Sequence, residues 1–173
     1  MREMYDRAWR GCAREFEVER RFGSFGDGVG QFYDMWGIAV HGEGADRRVA
    51  CADNENRRVL IFHVGSGECV ATIGEGEGPG KLYWPTGVAF SGRGELYVSD
   101  NFLDSSVTIY DNWRIVVYDR GGAFLRGFGE TGSGNGQFSY PCGLAFTAKG
   151  ELVVCDRDNH RVQVLCEDGT FVR

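Results

Sequence analysis

Three aspartate–arginine pairs in this 173-residue chain have side chains of the types that acid–base catalysis uses. In each pair the aspartate ends one apolar run and the arginine begins the next. The pairs are Asp53 with Arg58, Asp100 with Arg114, and Asp156 with Arg161. Carboxylates that act as catalytic acid and base need unequal environments, whereas these pairs recur with similar neighbours. We therefore predict a structural role, in which the carboxylate accepts turn N–H groups and the arginine braces it.

Glycine-rich blocks also recur, and their Gly-x-Gly-x-Gly pattern could suggest a phosphate-binding loop. They occupy residues 26–30, 76–80 and 132–136. Phosphate-binding loops open a helix, whereas each of these blocks precedes a run of strand composition. We therefore predict turns with positive φ, which glycine adopts without steric cost.

The histidines and cysteines show no pattern that is typical of a metal or catalytic site. His41 and His63 lie in or after predicted turns and His160 lies within a recurring turn, so we do not expect the three to converge. The six cysteines include no Cys-x-x-Cys pair and most lie on or beside predicted strands, although a disulfide stays open. The sequence therefore predicts no catalytic residue, no metal site and no cofactor.

These residues are positioned by a repeat that runs through nearly the whole chain. Gly37, Gly87 and Gly143 mark a period that becomes 47 residues once two turn insertions are set aside. Each repeat contains up to four runs of four to six residues rich in Val, Ile, Phe and Tyr, bounded by Gly, Asp and Asn. Four short strands per repeat are typical of a propeller blade. We predict an all-β fold: a partial β-propeller of three four-stranded blades plus one orphan N-terminal outer strand.

The third repeat resembles the NHL repeat. It carries Gln137-Phe138, Pro141-x-Gly143 and the turn Asp156-x-x-Asn159-x-Arg161. The resemblance extends over residues 21–173, although Met35 replaces the proline of the first repeat. It implies a propeller that generally has six blades. It leaves activity open, because the family includes RNA binders, protein scaffolds, sensor domains and a lyase group.

The repeats divide the chain into consecutive segments. Residues 1–14 form an N-terminal extension that could be a short helix, and residues 15–23 form the orphan strand. Blade 1 spans 24–74, blade 2 spans 75–129 with an insertion at 101–113, and blade 3 spans 130–173.

Charge and hydropathy indicate which partners to expect. The net charge is −6, with 19 Lys+Arg against 25 Asp+Glu and no basic run longer than two in the repeats. Nucleic-acid surfaces need clustered cations, so the composition argues against RNA or DNA. No apolar run reaches the roughly 18 residues of a membrane span, and no signal peptide begins the chain. We expect no membrane association and a cytoplasmic location with reduced thiols.

The insertion of the second repeat is the predicted partner-binding site. It places apolar residues in a turn, where they would be exposed and could anchor an unidentified protein partner. It could instead cover its own blade or lengthen two strands into a hairpin. The predicted contact residues are Phe102, Leu103, Val107, Ile109 and Tyr110.

The two ends of the repeat region indicate how the ring could close. Residues 15–23 match an outer strand that lacks its own blade, and the last blade stops within its fourth strand. Two copies of three blades would make six, so we predict a head-to-tail homodimer or completion by another chain. The predicted self-association residues are Phe16, Val18, Phe22, Phe171 and Val172.

The sequence therefore favours a non-enzymatic propeller that binds or scaffolds proteins. A single-stranded RNA reader is the first alternative, and a continuous arginine surface would distinguish it. A lyase or hydrolase in the axial channel is the second, and convergent titratable groups would be its mark.

Overall fold

A computed structural model of the chain describes residues 21–102 and 112–173. In these ranges the regular structure is strand, apart from short 3-10 turns at Gly44–Asp46 and Arg157–Asn159. The β-branched and aromatic runs form the strands, and glycine, aspartate and asparagine form the turns between them.

Blade 1 is a four-stranded antiparallel sheet whose strands neighbour one another in chain order. A short parallel pair precedes it, β1 (Ser24–Phe25) with β2 (Gln31–Phe32). The blade strands are β3 (Met35–His41), β4 (Arg48–Asp53), β5 (Arg58–His63) and β6 (Cys69–Ile73).

Blade 2 repeats this order with longer central strands. Its strands are β7 (Pro85–Phe90), β8 (Leu96–Phe102), β9 (Asn112–Tyr118) and β10 (Phe124–Phe128). The inner strand β7 lies between the inner strands of the other two blades and packs on both.

Blade 3 has three full strands and a reduced fourth. The parallel pair β11 (Glu130–Thr131) and β12 (Gln137–Phe138) precedes β13 (Pro141–Phe146), β14 (Leu152–Asp156) and β15 (Arg161–Leu165). The fourth position holds a single bridge between Leu165 and Phe171, supported by the Val172 N–H that donates to the Val164 carbonyl at 2.8 Å.

Each blade has a leading face, toward the blade before it, and a trailing face, toward the blade after it. The trailing face of blade 1 packs on the leading face of blade 2 around Ala50, Ile61, Val88 and Leu96. The trailing face of blade 2 packs on blade 3 in the same way. That second core contains Tyr97, Ile115, Val117, Leu152, Val154 and Leu165.

The structure confirms the prediction of an all-β, partial propeller whose sheets do not close into a ring. The extension and most of the orphan strand lie outside the described residues, and residues 21–23 are not in a strand. Phe22, a predicted self-association residue, packs on blade 1 of its own chain, with its ring centroid 5.0 Å from that of Phe62.

Candidate functional site

Each aspartate–arginine pair clamps a glycine loop onto its blade. In blade 1, Asp53 Oδ2 accepts a hydrogen bond from Arg58 Nε at 3.2 Å, and Asp53 Oδ1 accepts one from the Tyr33 N–H at 3.0 Å. The Arg58 guanidinium also donates to the carbonyls of Gly28 and Gln31. The carboxylate is thus held from two sides, and the arginine ties it to the preceding loop.

The same clamp recurs in the other blades with equivalent partners. Arg114 bridges Asp100 and the Lys81 carbonyl at 3.0 and 2.6 Å. Arg161 bridges Asp156 and the Gln137 carbonyl at 2.8 and 2.9 Å. The repetition supports the structural role that the sequence predicts.

One detail of that prediction is wrong. The backbone N–H groups that the carboxylates accept do not belong to the turn between aspartate and arginine. They come from the segment just before each inner strand, at Tyr33, Tyr83 and Ser139. The clamp therefore joins parts of the chain that lie 17 to 20 residues apart, rather than a local turn.

The environment of the clamp suits ion pairing rather than proton transfer. Asp53, Asp100 and Asp156 are fully buried. Burial raises the pKa of Asp100, while the Tyr83 N–H and the Arg114 guanidinium act in the opposite direction. Because every carboxylate already accepts several donors, none faces a cavity as a free acid or base.

The glycine blocks form turns, as predicted. Gly30 and Gly136 have φ of 74° and 76°, which a side chain would strain. The Gln31 and Gln137 side chains accept the N–H groups of Gly28 and Gly134 at 3.0 and 2.9 Å, which fixes the loop.

The predicted histidines occupy two different places. His41 and His63 lie at one end of blade 1, flanking Arg48 in the strand register. His160 lies in the left-handed position after the 3-10 turn of blade 3. Among residues 21–102 and 112–173 no three His, Cys, Asp or Glu side chains are grouped as metal ligands would be. The five cysteines in these ranges are free thiols.

The insertion begins as an extension of the blade 2 hairpin. Strands β8 and β9 continue two pairs beyond Asp100 and Arg114, through Asn101–Trp113 and Phe102–Asn112. In blades 1 and 3 the equivalent strands end at the aspartate–arginine pair. Leu103, Val107, Ile109 and Tyr110 lie outside the described residues, so partner binding there stays a prediction.

The most distinctive surfaces are the outward faces of the end blades. Ile38 of blade 1 and Val88 of blade 2 occupy equivalent positions, because Ile38 pairs with Cys51 as Val88 pairs with Val98. Ile38 is 70% exposed and Val88 is 4% exposed. On the opposite end, Val162 is 60% exposed, whereas its blade 2 equivalent Ile115 is completely buried.

Sequence reasoning missed these surface residues. Met35, Trp36 and Val40 are also exposed on β3, and they extend the apolar surface around Ile38. Alignment of the repeats identifies equivalent positions on the strands, but only the arrangement of the blades shows which blade has no neighbour on a given side. Of the predicted self-association residues, Phe171 packs on the second core and Val172 is exposed.

Polar bonds fasten the two internal blade junctions. The Asn54 side chain donates to the Pro85 carbonyl at 3.0 Å, and the Asn101 side chain donates to the Pro141 carbonyl at 3.2 Å. On the outward face of blade 3, Arg157 takes the position of these asparagines and lies over the Tyr140 ring at 3.7 Å. On the outward face of blade 1, Met35 takes the position of these prolines. A junction between two end faces would therefore have an arginine in place of the asparagine donor, and methionine in place of the proline whose carbonyl accepts.

In the ranges that the structure covers, no helix has the length and apolar character needed to cross a membrane.

Comparison with known proteins places the chain in a family. Residues 138–165 match the model of the NHL repeat. Protein brain tumor of Drosophila melanogaster is 30% identical over 119 residues, which are 68% of this chain and 10% of that protein. B-box type zinc finger protein ncl-1 of Caenorhabditis elegans is 48% identical over 44 residues, 25% of this chain and 5% of that protein. The chain thus spans a small part of the relatives that it matches.

Solved structures agree on the fold. A virginiamycin B lyase from Staphylococcus aureus superposes with a TM-score of 0.56 at 16% identity, over 80% of this chain and 40% of that one. At this identity the likeness concerns the fold alone. The repeat pattern, the blade geometry and the sequence matches together show that the chain belongs to the NHL-repeat β-propeller family.

Proposed function

We propose that this chain is a non-enzymatic propeller module that binds or scaffolds other proteins, and that a second copy completes its ring. The observation that carries the proposal is the exposure of apolar residues on the outward face of each end blade. Ile38 and Val162 are exposed at positions where the equivalent residues in the internal junctions are buried. On blade 1 the exposed surface lies on the inner strand, since Cys51 and Leu60 on the central strands are buried. Exposed apolar surface at such positions marks an interaction site.

A second copy fits these faces because they are the two surfaces that already meet inside the chain. Inside the chain, the trailing face of blade 2 meets the leading face of blade 3. The open trailing face of blade 3 is equivalent to the first of these faces, and the open leading face of blade 1 is equivalent to the second. Head-to-tail pairing about a twofold axis would form two further junctions and a six-bladed ring. Obligate interfaces of this type bury about 2,000 Å² or more and are apolar.

We also propose a place for the orphan strand, at the outer edge of blade 3. The fourth position there holds the Leu165–Phe171 bridge and the backbone bonds of Val172 and Arg173 to Val164. We expect residues 15–23 of the second copy, with Phe16 and Val18, to add a strand at this edge. Such an addition would remove an open sheet edge, which proteins otherwise have to protect.

The blade 2 hairpin is the proposed contact for a different protein. Its strands extend past the blade at Phe102, and Leu103, Val107, Ile109 and Tyr110 follow in the loop. The free thiols of Cys51, Cys69, Cys142 and Cys155 fit the reducing cytoplasm, which is the location that we propose.

Two charge substitutions test the closure of the ring. Ile38→Glu and Val162→Glu should each prevent self-association in sedimentation-velocity experiments, because either one places a charge in both copies of the junction. Leu125→Glu is the matched control, since Leu125 is exposed on the outer strand of blade 2. Association that survives both face variants would contradict the proposal.

A further inference from the structure

A cavity of about 390 Å³ lies between blades 1 and 2 at the end of the blades that carries His41. Its inner wall is apolar and its mouth is charged. The apolar residues are Ile61, Ala71, Ile73, Phe90 and Leu96. The polar residues are His41, Asp46, Arg48, Asp119 and Arg120. An apolar pocket with a few convergent polar groups is the usual form of a small-molecule site.

The equivalent space in the junction between blades 2 and 3 is filled by side chains. There the fully buried Tyr97 donates from its hydroxyl to the Glu167 carbonyl at 3.0 Å. Arg126 donates to Glu95 at 3.0 Å and to the same Glu167 carbonyl at 3.2 Å. The Tyr97 ring lies 4.9 Å from Phe146, edge to face. A phenol ring and a guanidinium thus occupy the space between those blades.

Blade 1 has alanine at both positions that fill the second junction. Ala50 pairs with Ile61 as Tyr97 pairs with Val117. Ala71 pairs with the same Ile61, as Arg126 pairs with Val117. Phe90 stands where Phe146 stands in blade 3. Ala71 lines the cavity, and Ala50 pairs with Ile61, which also lines it. The cavity therefore corresponds to the space that the tyrosine ring and the arginine fill in the second junction, and Phe90 keeps its aromatic wall.

The charges around that space are reversed. The positions of Glu95 and Glu167 are occupied in the first junction by Arg48 and Arg120. Within the described residues, the Arg48 guanidinium has no hydrogen-bond or ion-pair partner, and Arg120 donates only from Nε, to the Arg93 carbonyl. Several guanidinium N–H donors therefore remain available for an anion.

Two acids limit the charge of that anion. Asp119 lines the cavity, and its Oδ1 already accepts the N–H groups of Gly121 and Ala123 at 2.8 and 2.9 Å. Asp46 is exposed at the mouth. Two carboxylates against two guanidiniums leave the lining close to neutral, which suits a monoanion better than a multiply charged phosphate.

We infer that this cavity binds an aromatic monocarboxylate. Its ring lies against Phe90, as the Tyr97 ring lies against Phe146, with His41 completing the aromatic wall 5.3 Å from Phe90. Its carboxylate accepts hydrogen bonds from Arg48 and Arg120. The inference rests on an internal junction, so it does not depend on closure of the ring.

Calorimetric titration of the full chain with indole-3-acetate tests the inference. Indole-3-acetate should bind saturably at one site, whereas tryptamine, with the same ring and a positive charge, and acetate, without a ring, should not. Arg48→Glu should weaken binding by more than about tenfold, because it removes a charge-assisted bond. Arg47→Glu makes the same change in charge outside the cavity and should leave the affinity unchanged. Equal binding of tryptamine, no binding of indole-3-acetate at about 1 mM, or an unaffected Arg48→Glu would overturn the inference.

A second substitution tests the location. Ala50→Tyr together with Ala71→Arg should fill the cavity as the second junction is filled, and should abolish indole-3-acetate binding. If that double variant fails to fold, Arg120→Glu, an exposed change at the mouth, decides instead. Binding of indole-3-acetate to Arg120→Glu with unchanged affinity would place the ligand elsewhere and contradict the assignment.

Discussion

The leading faces of blades 1 and 2 are built from equivalent residues but differ in what covers them. Val88 of blade 2 lies against the alanine-rich trailing face of blade 1 and is 4% exposed. Ile38 holds the same position in blade 1 and is 70% exposed. The difference shows that a blade's apolar pattern is set by the repeat, whereas its burial depends on the neighbouring blade.

The largest effect should come from charging this one position in each blade. Val88→Asp should cost about 4 kcal/mol or more, because it buries a carboxylate without a partner. In the Val162→Glu background, where a second copy cannot cover blade 1, Ile38→Asp should change the unfolding free energy by less than about 0.5 kcal/mol. Urea unfolding measures both variants in that background, and similar losses at the two positions would show that other parts of the same chain cover Ile38.

The filled junction provides the next test. Tyr97→Ala should lower the unfolding free energy by about 3 kcal/mol, because it opens a cavity between blades 2 and 3 like the one between blades 1 and 2. Tyr33→Ala is the matched control, since Tyr33 is exposed and should lose little. An equal loss for the two tyrosines in urea unfolding would mean that Tyr97 does not fill the junction.

The aspartate–arginine clamp should have a smaller effect that is shared by all blades. Asp156→Ala should cost about 1–3 kcal/mol, because the Ser139 N–H and the Arg161 guanidinium lose their common acceptor. Thermal unfolding by circular dichroism measures the change. If the melting temperature is kept while a specific activity disappears, the clamp belongs to an active site and its structural role is wrong.

The alkaline titration of Tyr97 should affect stability only at high pH. Burial raises the pKa of Tyr97 to about 12, and the nearby Arg126 acts in the opposite direction. A raised folded-state pKa gives stability that is fully present below the unfolded value of about 10 and is lost as the pH rises toward 12. Burial raises the pKa of Tyr118 as well, so absorbance at alkaline pH should show at least two late-ionising tyrosines, one of which disappears in Tyr97→Phe. An unchanged titration curve would contradict its burial.

Substitutions in the blade 2 hairpin should have the smallest effect on folding, but they should abolish partner binding. Replacing Phe102, Leu103, Ile109 and Tyr110 with serine should leave the unfolding free energy within about 0.5 kcal/mol, because the extension lies beyond the blade. The variant should fail to capture a protein partner in a pull-down, but it should keep its self-association because the end faces are intact. A loss of folding would show that the loop covers its own blade.

The sequence was sufficient for the features that the repeat encodes locally. The strands, the positive φ of Gly30 and Gly136 and the pairing of Asp53 with Arg58 follow from residue type and recurrence. The donors from Tyr33 and Tyr83 were missed, because the fold brings them to carboxylates 17 to 20 residues away. Repeat alignment alone says nothing about contacts at that separation.

The candidate surfaces were harder to predict for a related reason. When the repeats are aligned, Ala50 and Ala71 match a tyrosine and an arginine of the next repeat. The alignment does not show that both positions lie on the same side of a blade junction, where two small side chains leave a cavity. Likewise, the exposure of Ile38 depends on a missing neighbour rather than on its own residue type. Both features belong to the arrangement of the blades.

The mass of the unmodified chain in dilute solution tests the central claim most directly. One chain has a mass of 19.2 kDa, so native mass spectrometry should find a species of twice that mass. The dimer should dissociate in the Ile38→Glu variant without loss of strand signal in the circular-dichroism spectrum. A well-dispersed 19.2 kDa monomer would contradict closure by a second copy.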